Sequence, residues 1–389
     1  MIHRVVIFGG HIQALGLARQ IKKRGLEVII VTDDECSVAR FSRAVDRTIV
    51  CRNWIENFTI LIQELELPDR GTLLFPTNDE AVEWLCAHYY EYVDHFALGT
   101  PKPEVISLFN NKRKAYRFAE SHGVPCPNCW YPNTLTEVEA LSSSLPYPVV
   151  VKPAIMYSFH AIFGKKAFRC DNAEQLMNVY HRIANADYPL ESILIQEFLS
   201  GGPKHLYSYG VMAADGKPLA SIQANRIRQN PMDFGNSTTF AVTCDIPAIK
   251  AQSVSLLEET KYFGLGEVEW MWDEKAHKYK FLEINTRAWK WHTLSNMLDF
   301  SFIGTMIDWL DGTITIDGVN ELKSERVAWV ERLTDWAVIA KEMLHGRMKL
   351  LDVMRSYKIP HESAVWSWSD PLPGIMYILL SPILYVKRH

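Results

Sequence analysis

The sequence predicts a protein of mixed α/β and α+β class, in which an N-terminal domain with a parallel sheet precedes a larger region of strands and helices. Short apolar runs alternate with a helical repeat in roughly the first 105 residues, a pattern typical of β-α-β units. A strand-rich stretch covers residues 206–243, and two more strands follow before Asn285. The length of 389 residues accommodates two or three domains.

The N-terminal β-α-β unit is readable residue by residue. Residues 5–8 form an apolar run that ends in a Gly-Gly pair, and residues 28–31 form a second apolar run. Between them, apolar residues recur at helical spacing: Ala14, Leu17, Ala18 and Ile21. Two apolar strands joined by a helix predict a buried parallel sheet.

The Gly-Gly turn does not match a dinucleotide fingerprint. That fingerprint needs a second glycine where this chain has His11. Asp33 follows the second strand and could hold a ribose, but strand ends commonly carry an Asp. We therefore expect a turn that is free of phosphate or faces a substrate.

Composition excludes several classes of function. The net charge is −4, whereas proteins that bind phosphate backbones usually carry a strong basic excess, so we expect no nucleic-acid partner. No run of about 20 apolar residues could span a bilayer. The nearest candidate, residues 375–386, is interrupted by Ser381 and Pro382, and we interpret it as a buried C-terminal strand or helix rather than a membrane contact.

The seven cysteines do not form a disulfide framework, because they are scattered and odd in number. Cys126 and Cys129 make a CxxC pair, yet no second pair completes a zinc site. We expect structural thiols and a cytoplasmic protein.

Two carboxylates in neighbouring strands carry the first chemical signal. Glu269 and Glu283 lie in apolar runs joined by a polar turn, so an antiparallel hairpin would bring them close. Mg²⁺ would relieve their repulsion, and the amide oxygen of Asn285 would add a ligand. Mg²⁺ normally also binds substrate phosphates, which points to a nucleotide. The alternative is that Glu267 and Glu269 alternate along a solvated strand face.

Two lysines upstream suit phosphate oxygens. Lys112 opens a helix, and Lys152 ends an apolar strand. Each alone is more often a solvated surface charge, but together with a carboxylate pair downstream they suggest an ATP site.

In this order the residues resemble the ATP-grasp superfamily. The resemblance rests on a helix-opening lysine, a strand lysine, a hinge strand at residues 196–199 and an acidic end of the form E…ExNxR. Within the superfamily the chain looks most like carboxylate–amine ligases of the D-aspartate-ligase-like group. The segments that suggest this group are 206–209, 226–231, 233–237 and 370–373.

The resemblance implies four regions. A Rossmann-like pre-ATP-grasp domain would cover residues 1–108, and the two-lobed ATP-grasp fold would follow. Its small lobe, the lid, would span 109–198, and its large lobe with the metal site would span 199–312. Residues 313–389 would form a C-terminal extension.

It also implies roles for single residues. Lys112 and Lys152 would contact ATP phosphates, and the hinge would meet adenine through Gln196, Glu197, Phe198 and Leu199. The metal ligands, for two Mg²⁺ ions with Mn²⁺ as a substitute, would be Glu269, Glu283 and Asn285. Three arginines would serve the reacting carboxylate and phosphoryl group: Arg226, Arg228 and Arg287.

Some positions depart from the family pattern or stay open. The loop 154–164 is apolar and aromatic where many relatives have a glycine-rich phosphate loop. Trp289 and Trp291 would either wall a substrate pocket or pack the core. His292 would be either a base for the amine or a packed side chain.

The implied reaction is amide formation through an acyl phosphate, with release of ADP and phosphate. Its substrates would be a small carboxylate and an amine, namely an amino acid, a peptide or a sugar acid, and the enzyme would be a monomer or homodimer. One alternative is a carboxylase or nucleotide-biosynthesis enzyme of the same fold that uses bicarbonate. Another is a nucleotide-binding protein without turnover.

Overall fold

The structure is a computed structural model that describes residues 1–51, 69–155, 159, 162–232, 237–315 and 325–383. It divides into two compact units. The first unit comprises Met1–Ile106, Gly202–Glu267 and Asn285–His389, and the second comprises Ser107–Gly201 and Val268–Ile284. Both units mix helices and strands, which confirms the predicted fold class.

The N-terminal part of the first unit is a five-stranded parallel sheet in the order β3-β2-β1-β4-β5. Its strands are β1 Arg4–Phe8, β2 Glu27–Thr32, β3 Arg47–Val50, β4 Thr72–Pro76 and β5 Ala97–Leu98. The described helices in this part are α1 Ile12–Lys22, α2 Asp79–Ala87, α3 Tyr89–Tyr92 and α4 Pro103–Phe109, the last of which continues into the second unit. The sequence of β1, α1 and β2 confirms the predicted β-α-β unit.

Packing explains the Gly-Gly turn after β1. Gly9 has φ +107°, a conformation that side chains rarely adopt, and a Cβ atom there would lie 2.3 Å from Oγ1 of Thr77. A Cβ atom on Gly10 would lie 2.4 Å from Oγ of Ser37. Close approach of neighbouring side chains therefore accounts for both glycines.

A seven-stranded sheet has the order β14-β13-β10-β11-β12-β15-β16. Its strands are β10 Leu206–Ala214, β11 Lys217–Asn230, β12 Ser237–Thr243, β13 Gly264–Asp273, β14 Lys278–Asn285, β15 Ala328–Val330 and β16 His361–Ser363. The division between the units falls within β13 and within β14. Five more described α-helices belong to the first unit: α8 Pro247–Glu259, α9 Phe302–Leu310, α10 Arg332–Leu344, α11 Leu350–Tyr357 and α12 Leu372–Leu379.

The second unit contains a four-stranded antiparallel sheet in the order β6-β9-β7-β8. Its strands are β6 Cys129–Trp130, β7 Val149–Pro153, β8 Phe168–Cys170 and β9 Ile193–Glu197, and its helices are α5 Lys112–Ser121, α6 Leu135–Ser142 and α7 Ala173–Ala184. The side chains of Asn111, Thr134 and Asn172 cap these helices by accepting backbone N–H groups of the first turn. Valines of β7 pack with α7 residues in one apolar core.

The CxxC cysteines are free thiols in the second unit. Burial raises the pKa of the Cys129 thiol to about 12 and that of Cys126 still further. Thiols that resist ionisation are poor nucleophiles and metal ligands, in agreement with the expected structural role.

The last helix, α12, spans Leu372–Leu379. Part of the segment 375–386, predicted as a buried strand or helix, is therefore helical, but the expectation of burial is wrong for Ile375, Ile378 and Leu379. Residues 384–386 of that segment lie outside the described residues. Pro373, Gly374 and Tyr377 are buried, whereas the large apolar residues of the other face are exposed. Within the described part of the chain, we find no helix with the length and apolar character needed to cross a membrane.

Candidate functional site

An ion pair in the second unit joins a predicted phosphate contact to a predicted metal ligand. Lys112 lies in the first turn of α5, and its Nζ donates to Oε2 of Glu283 on β14 at 2.7 Å. The backbone N–H of Lys112 donates to the carbonyl oxygen of Ala154 at 2.9 Å, which fixes the start of α5 beside the end of β7. Both charged side chains keep some exposure to solvent, so a ligand could reach them.

The second predicted phosphate contact, Lys152, is held by a hydrogen-bond network. Its Nζ donates to Oε1 of Gln196 at 3.0 Å, and the hydroxyl of Tyr116 donates to the same oxygen at 3.0 Å. Gln196 is buried on β9, next to β7, and Tyr116 is buried on α5. The network therefore connects the strand lysine, the hinge strand and the lysine-bearing helix within one unit.

Electrostatic interactions connect Lys152 to Lys112 and to both carboxylates. Burial lowers the pKa of Lys152, and the neighbouring Lys112 cation lowers it further. The carboxylates of Glu283 and Glu269 oppose this shift, because negative charge stabilises the ammonium form. These four side chains form one charged cluster, and the structure brings together two predicted phosphate contacts and two predicted metal ligands.

The side-chain oxygens of this cluster can be compared with the ligands that Mg²⁺ prefers. Glu269 and Glu283 offer carboxylate oxygens, the ligands that Mg²⁺ prefers. Among the described residues there is no group of three His, Cys, Asp or Glu side chains that would form an all-protein cage. Mg²⁺ is usually bound by one or two carboxylates together with waters and substrate phosphates. The residues fit that mode of binding.

The hinge residues have distinct surroundings. The carboxylate of Glu197 accepts from the backbone N and the Nδ2 of Asn128 at 2.9 and 3.0 Å, and it contacts Nζ of Lys280. Phe198 follows β9 and lies under the guanidinium of Arg169, 4.6 Å from its ring centre. The Glu197 side chain is thus occupied by protein partners. The Gln196 side chain is engaged as well, because its Nε2 donates to the carbonyl oxygen of Glu197 at 3.3 Å. The backbone N–H groups of Glu197 and Phe198 donate to the carbonyl oxygens of Asn128 and Pro148.

Asn285, the third predicted metal ligand, lies in the first unit. Its Nδ2 donates to Oε2 of the buried Glu267 at 3.2 Å, and the indole of Trp291 donates to Oε1 of the same carboxylate at 2.9 Å. Arg226 lies 3.8 Å from that carboxylate. Because the amide nitrogen of Asn285 faces Glu267, the orientation of the amide group is set. The other polar atom of the group is its oxygen.

Arg287 makes a two-pronged contact with Asp79. Its Nε and Nη2 lie 2.5 and 3.3 Å from the two carboxylate oxygens of Asp79, which begins α2. The Asp79 side chain is largely exposed, whereas Arg287 is mostly shielded. An exposed ion pair of this kind is weak, so an anionic substrate could compete with Asp79 for the guanidinium.

Arg228 is buried in an ion pair. Its Nε and Nη2 donate to the two carboxylate oxygens of Asp335 on α10, each at 2.8 Å, and its Nη1 donates to Oγ of Ser356 at 3.0 Å. Thr239 and Tyr357 donate to the same carboxylate, each at 2.8 Å. A β-bulge at Ile227 separates Arg226 from Arg228, and the two arginines have different partners.

The residues after Arg287 belong to the core of the first unit. Trp289 and Trp291 are buried, and their rings meet edge to face with centres 5.3 Å apart. His292 is fully buried, and its Nε2 lies 3.1 Å from the carbonyl oxygen of Gln13. Burial lowers the pKa of His292 to about 4. The alternative of packed side chains therefore describes these three residues.

Two predicted loops lie partly outside the described residues. In the loop 154–164, residues 156–158, 160 and 161 are not described, while Phe159 and Phe163 are buried in the core of the second unit. In the segment 233–237, one of those that resemble the D-aspartate-ligase-like group, residues 233–236 are not described, and Ser237 accepts from Nζ of Lys290 at 2.8 Å.

Sequence reasoning missed the residues that hold the predicted ones in place. Tyr116, Lys280 and Glu267 are such residues, and so is Asp335. Tyr116 was detectable in principle, because it lies one helical turn after Lys112. Lys280 and Glu267 alternate with apolar residues in strands, which is also the pattern of a solvated face. Asp335 is distant in sequence from its partner, and no local signal connects the two.

Comparison with known proteins identifies the domain that contains most of these residues. Residues 111–299 match the family model of the carbamoyl-phosphate synthase L chain, ATP binding domain. Over these residues the chain is similar to ATP-grasp proteins. The match begins one residue before Lys112 and extends beyond Arg287, so it includes every predicted site residue, and it confirms the predicted resemblance.

Relatives of this chain include a D-aspartate ligase from Enterococcus faecium (strain Aus0004). The two are 22% identical over 303 residues, which are 72% of this chain and 70% of the relative. This relative supports the predicted class of ATP-dependent ligases that form carbon–nitrogen bonds.

Two solved structures share the fold. One is the biotin carboxylase domain of 2-oxoglutarate carboxylase from Hydrogenobacter thermophilus with MgADP, ADP and bicarbonate, at 16% identity and a TM-score of 0.62 over 80% of this chain and 70% of that chain. The other is N5-carboxyaminoimidazole synthetase from Staphylococcus aureus with ADP, at 14% identity and a TM-score of 0.64 over 88% of this chain and 86% of that chain.

Proposed function

We propose that this protein is an ATP-grasp enzyme, an ATP-dependent carboxylate–amine ligase that forms an amide through an acyl phosphate. The observation that carries the proposal is the charged cluster of Lys112, Lys152, Glu269 and Glu283 within the second unit. Two lysines and two carboxylates together suit a metal-bound nucleotide, because the lysines neutralise phosphate oxygens and the carboxylates hold the metal.

In this proposal the second unit binds ATP. Lys112 and Lys152 contact the phosphates, and bound phosphate would favour the charged form of Lys152 against the burial that lowers its pKa. Gln196 and the backbone of Glu197, Phe198 and Leu199 meet the adenine edge. The small lobe, residues 109–198, would supply most of these contacts.

Glu269, Glu283 and Asn285 would hold Mg²⁺, as two ions that Mn²⁺ could replace. When bound, Mg²⁺ neutralises phosphate charge and positions the transferred phosphoryl group. Glu267 assists indirectly, because it accepts from the Asn285 amide nitrogen and so sets the direction of the amide oxygen.

The reaction has two steps that balance in atoms and charge. An oxygen of the substrate carboxylate attacks the γ-phosphorus of ATP, the bond to the β-phosphate oxygen breaks, and ADP leaves. The amine nitrogen then attacks the acyl carbon, phosphate leaves with the former carboxylate oxygen, and the nitrogen loses its proton to phosphate or water. The chain supplies positioning and positive charge rather than a nucleophile.

Three arginines would serve this chemistry in different ways. Arg287 and Arg226 would bind the carboxylate and the transferring phosphoryl group, since a guanidinium pairs with both. Arg228 would have a structural role, because its Nε, Nη1 and Nη2 donate to Asp335 and Ser356. Candidate substrates are amino acids, short peptides and sugar acids, with D-aspartate as an amine to test first because of the relative's name.

Product formation tests the proposal directly. We would measure ADP release from ATP and Mg²⁺ with pools of carboxylates and amines, and then repeat the active combination with an ¹⁸O-labelled carboxylate. An acyl phosphate requires one ¹⁸O atom to appear in the released phosphate. Hydroxylamine in place of the amine should trap the acyl group as a hydroxamate.

The same assay separates the alternatives. ADP release that depends on bicarbonate, and not on the pooled carboxylates, would favour a carboxylase. Nucleotide binding by calorimetry without ADP release from any pool would favour a binding protein. Either result would contradict the ligase proposal.

A further inference from the structure

The consecutive helices α10 and α11 present apolar side chains to solvent. On α10, Trp336 is 59% exposed and Leu344, the last residue of the helix, is 88% exposed. All residues of α11 are described, and none of them is buried. The exposed large apolar residues of the two helices are Trp336, Met343, Leu344, Leu350, Leu351 and Met354. Single exposed apolar residues are common, but six on two consecutive helices indicate a surface that contacts an apolar partner.

Helical spacing places these six side chains on one side of each helix. On α10 they occupy positions i, i+7 and i+8, and on α11 they occupy positions i, i+1 and i+4. The other face of α10 is buried and carries four residues, namely Asp335, Val338, Ile339 and Glu342. Each helix therefore has an apolar side that faces solvent.

Hydrogen bonds fix this pair of helices on the first unit. Asp335, in the first turn of α10, accepts from the hydroxyl of Tyr357, the last residue of α11, at 2.8 Å. In the connection between the helices, Nε and Nη2 of Arg347 donate to the two carboxylate oxygens of Glu342, each at 2.7 Å. Because the end of α11 returns to the start of α10, the two helices form a helical hairpin, residues 332–357. Its apolar side chains lie on a fixed surface rather than on a frayed end.

The hairpin and the residue that follows it carry a local excess of positive charge. From Arg332 to Lys358 there are six basic and three acidic residues, a net charge of +3, whereas the whole chain has a net charge of −4. Asp335 and Glu342 are buried, so two of the three acidic side chains are absent from the surface. The exposed basic residues are Lys341, Arg347, Lys349, Arg355 and Lys358. Apolar side chains flanked by basic ones are typical of helices that lie on anionic membranes, and tryptophan favours the headgroup level of a bilayer.

We propose that the helical hairpin docks this protein on the surface of an anionic lipid bilayer. The six exposed apolar side chains would enter the boundary between headgroups and acyl chains. Lys341 and Lys349 would contact lipid phosphates, since a lysine side chain can lie along apolar surface and extend its charge to the headgroups. The inference does not depend on the proposed ligase activity.

A second copy of the chain fits the hairpin less well. In a symmetric pair, two surfaces that each carry an excess of positive charge would face one another, and like charges repel. The helices have 13 and 8 residues, which makes them about 20 and 12 Å long and about 10 Å wide. Their joint face of about 300 Å² is well below the roughly 800 Å² that each partner buries in a stable interface.

Vesicle sedimentation of the full chain tests the proposal. Sucrose-loaded vesicles of phosphatidylcholine alone are compared with vesicles in which about 30% of the lipid is phosphatidylglycerol, which makes the surface anionic. We expect partitioning onto the anionic vesicles to be at least about tenfold stronger, and high salt to release the protein. A protein that stays in the supernatant with both compositions, or that sediments equally with both, would overturn the proposal.

Charge variants decide whether the basic residues of the hairpin are responsible. The double variant Lys341→Glu, Lys349→Glu should reduce partitioning onto anionic vesicles about tenfold or more. The matched control is Lys102→Glu, Lys217→Glu, which changes two exposed lysines elsewhere in the first unit and alters the total charge by the same amount. The control should bind like wild type, and an equal loss in both double variants would contradict the assignment to the hairpin.

Apolar variants test the other half of the surface. Leu350→Asp, Leu351→Asp should also reduce vesicle binding about tenfold or more, because a charged side chain does not enter the acyl boundary. The matched control is Ile378→Asp, Leu379→Asp on α12, where both apolar residues are also exposed, and it should bind like wild type. Thermal unfolding confirms that each variant is folded.

Two outcomes of the apolar variants would contradict the proposal. One is unchanged vesicle binding by folded Leu350→Asp, Leu351→Asp. The other is a dimer in light scattering that this double variant dissociates, together with no vesicle binding by wild type, which would assign the hairpin to contact with a second copy.

Discussion

The Nζ of Lys112 donates to Oε2 of Glu283 at 2.7 Å, which ties a helix-opening lysine to a strand carboxylate 171 residues away. Each side chain alone is an ordinary charged residue. Their pairing beside Lys152 and Glu269 gives the second unit a cluster of two cations and two anions. Such a cluster can exchange its internal partners for a nucleotide and its metal without leaving a charge unpaired.

Glu283→Gln should reduce Mg²⁺-dependent turnover at least 100-fold, because the amide carries no charge for the metal. Turnover is measured against Mg²⁺ concentration, with the folded state checked by thermal unfolding. Glu274→Gln, in the exposed turn between β13 and β14, is the matched control and should behave like wild type. Unchanged turnover in Glu283→Gln would remove Glu283 from the metal site.

Tyr116→Phe should raise KM for ATP about fivefold with little change in kcat. The substitution removes one of two hydrogen bonds to Oε1 of Gln196, and such a bond contributes about 1 kcal/mol. Lys152→Met should weaken ATP binding more strongly, since it removes the charge itself. ATP affinity by calorimetry would give the order Lys152→Met weakest, then Tyr116→Phe, then wild type. Equal affinities in all three proteins would show that Lys152 is only a structural charge.

Arg228→Met should lower the free energy of unfolding by about 3–5 kcal/mol, because it leaves the carboxylate of Asp335 buried without its cation. The double variant Arg228→Met, Asp335→Leu should recover much of this loss, since it removes both charges. Urea unfolding measures the energies, and turnover of the folded double variant reports on chemistry. A folded, stable double variant that has lost all turnover would show that Arg228 acts on the substrate directly.

Acid should destabilise the first unit through Asp370. Burial raises its pKa, but hydrogen bonds from Ser42, Arg19 and the Arg43 backbone outweigh burial, so the net pKa is lowered in the folded state. A carboxylate of lowered pKa contributes stability at pH values above its unfolded pKa, and this contribution is lost as pH falls through the folded pKa. Asp370→Asn should therefore be less stable than wild type at neutral pH, and the difference should shrink below about pH 4.

Urea midpoints of both proteins between pH 7 and pH 3 would check this dependence. A constant difference across the whole range would mean that the negative charge of Asp370 does not contribute.

The sequence was sufficient for those parts of the fold that local patterns encode. Two strands joined by a polar turn were predicted before Asn285, and the strands are Gly264–Asp273 and Lys278–Asn285. A helix was predicted to open at Lys112, and α5 begins there with Asn111 as its cap. Apolar periodicity and capping residues are signals that involve only a few neighbouring positions, so they can be recognised in a single sequence.

The supporting partners could not be predicted, because they depend on contacts between distant segments. The carboxylate that holds Arg228 is 107 residues away, and the hydroxyl that supports Gln196 is 80 residues away. Burial of the apolar side chains of α12 was predicted wrongly for a related reason. An apolar run in the sequence indicates side chains that favour burial. Only the packing of distant segments decides which of these side chains are buried.

The contact between Arg19 and Asp370 has a consequence for the way this protein is made. The two residues are 351 positions apart, and the carboxylate is what satisfies a guanidinium at the end of the first helix. During translation, Arg19 of α1 is therefore synthesised 351 residues before Asp370. The N-terminal sheet is made with this charged contact incomplete, and the contact forms only after Asp370 has also been synthesised.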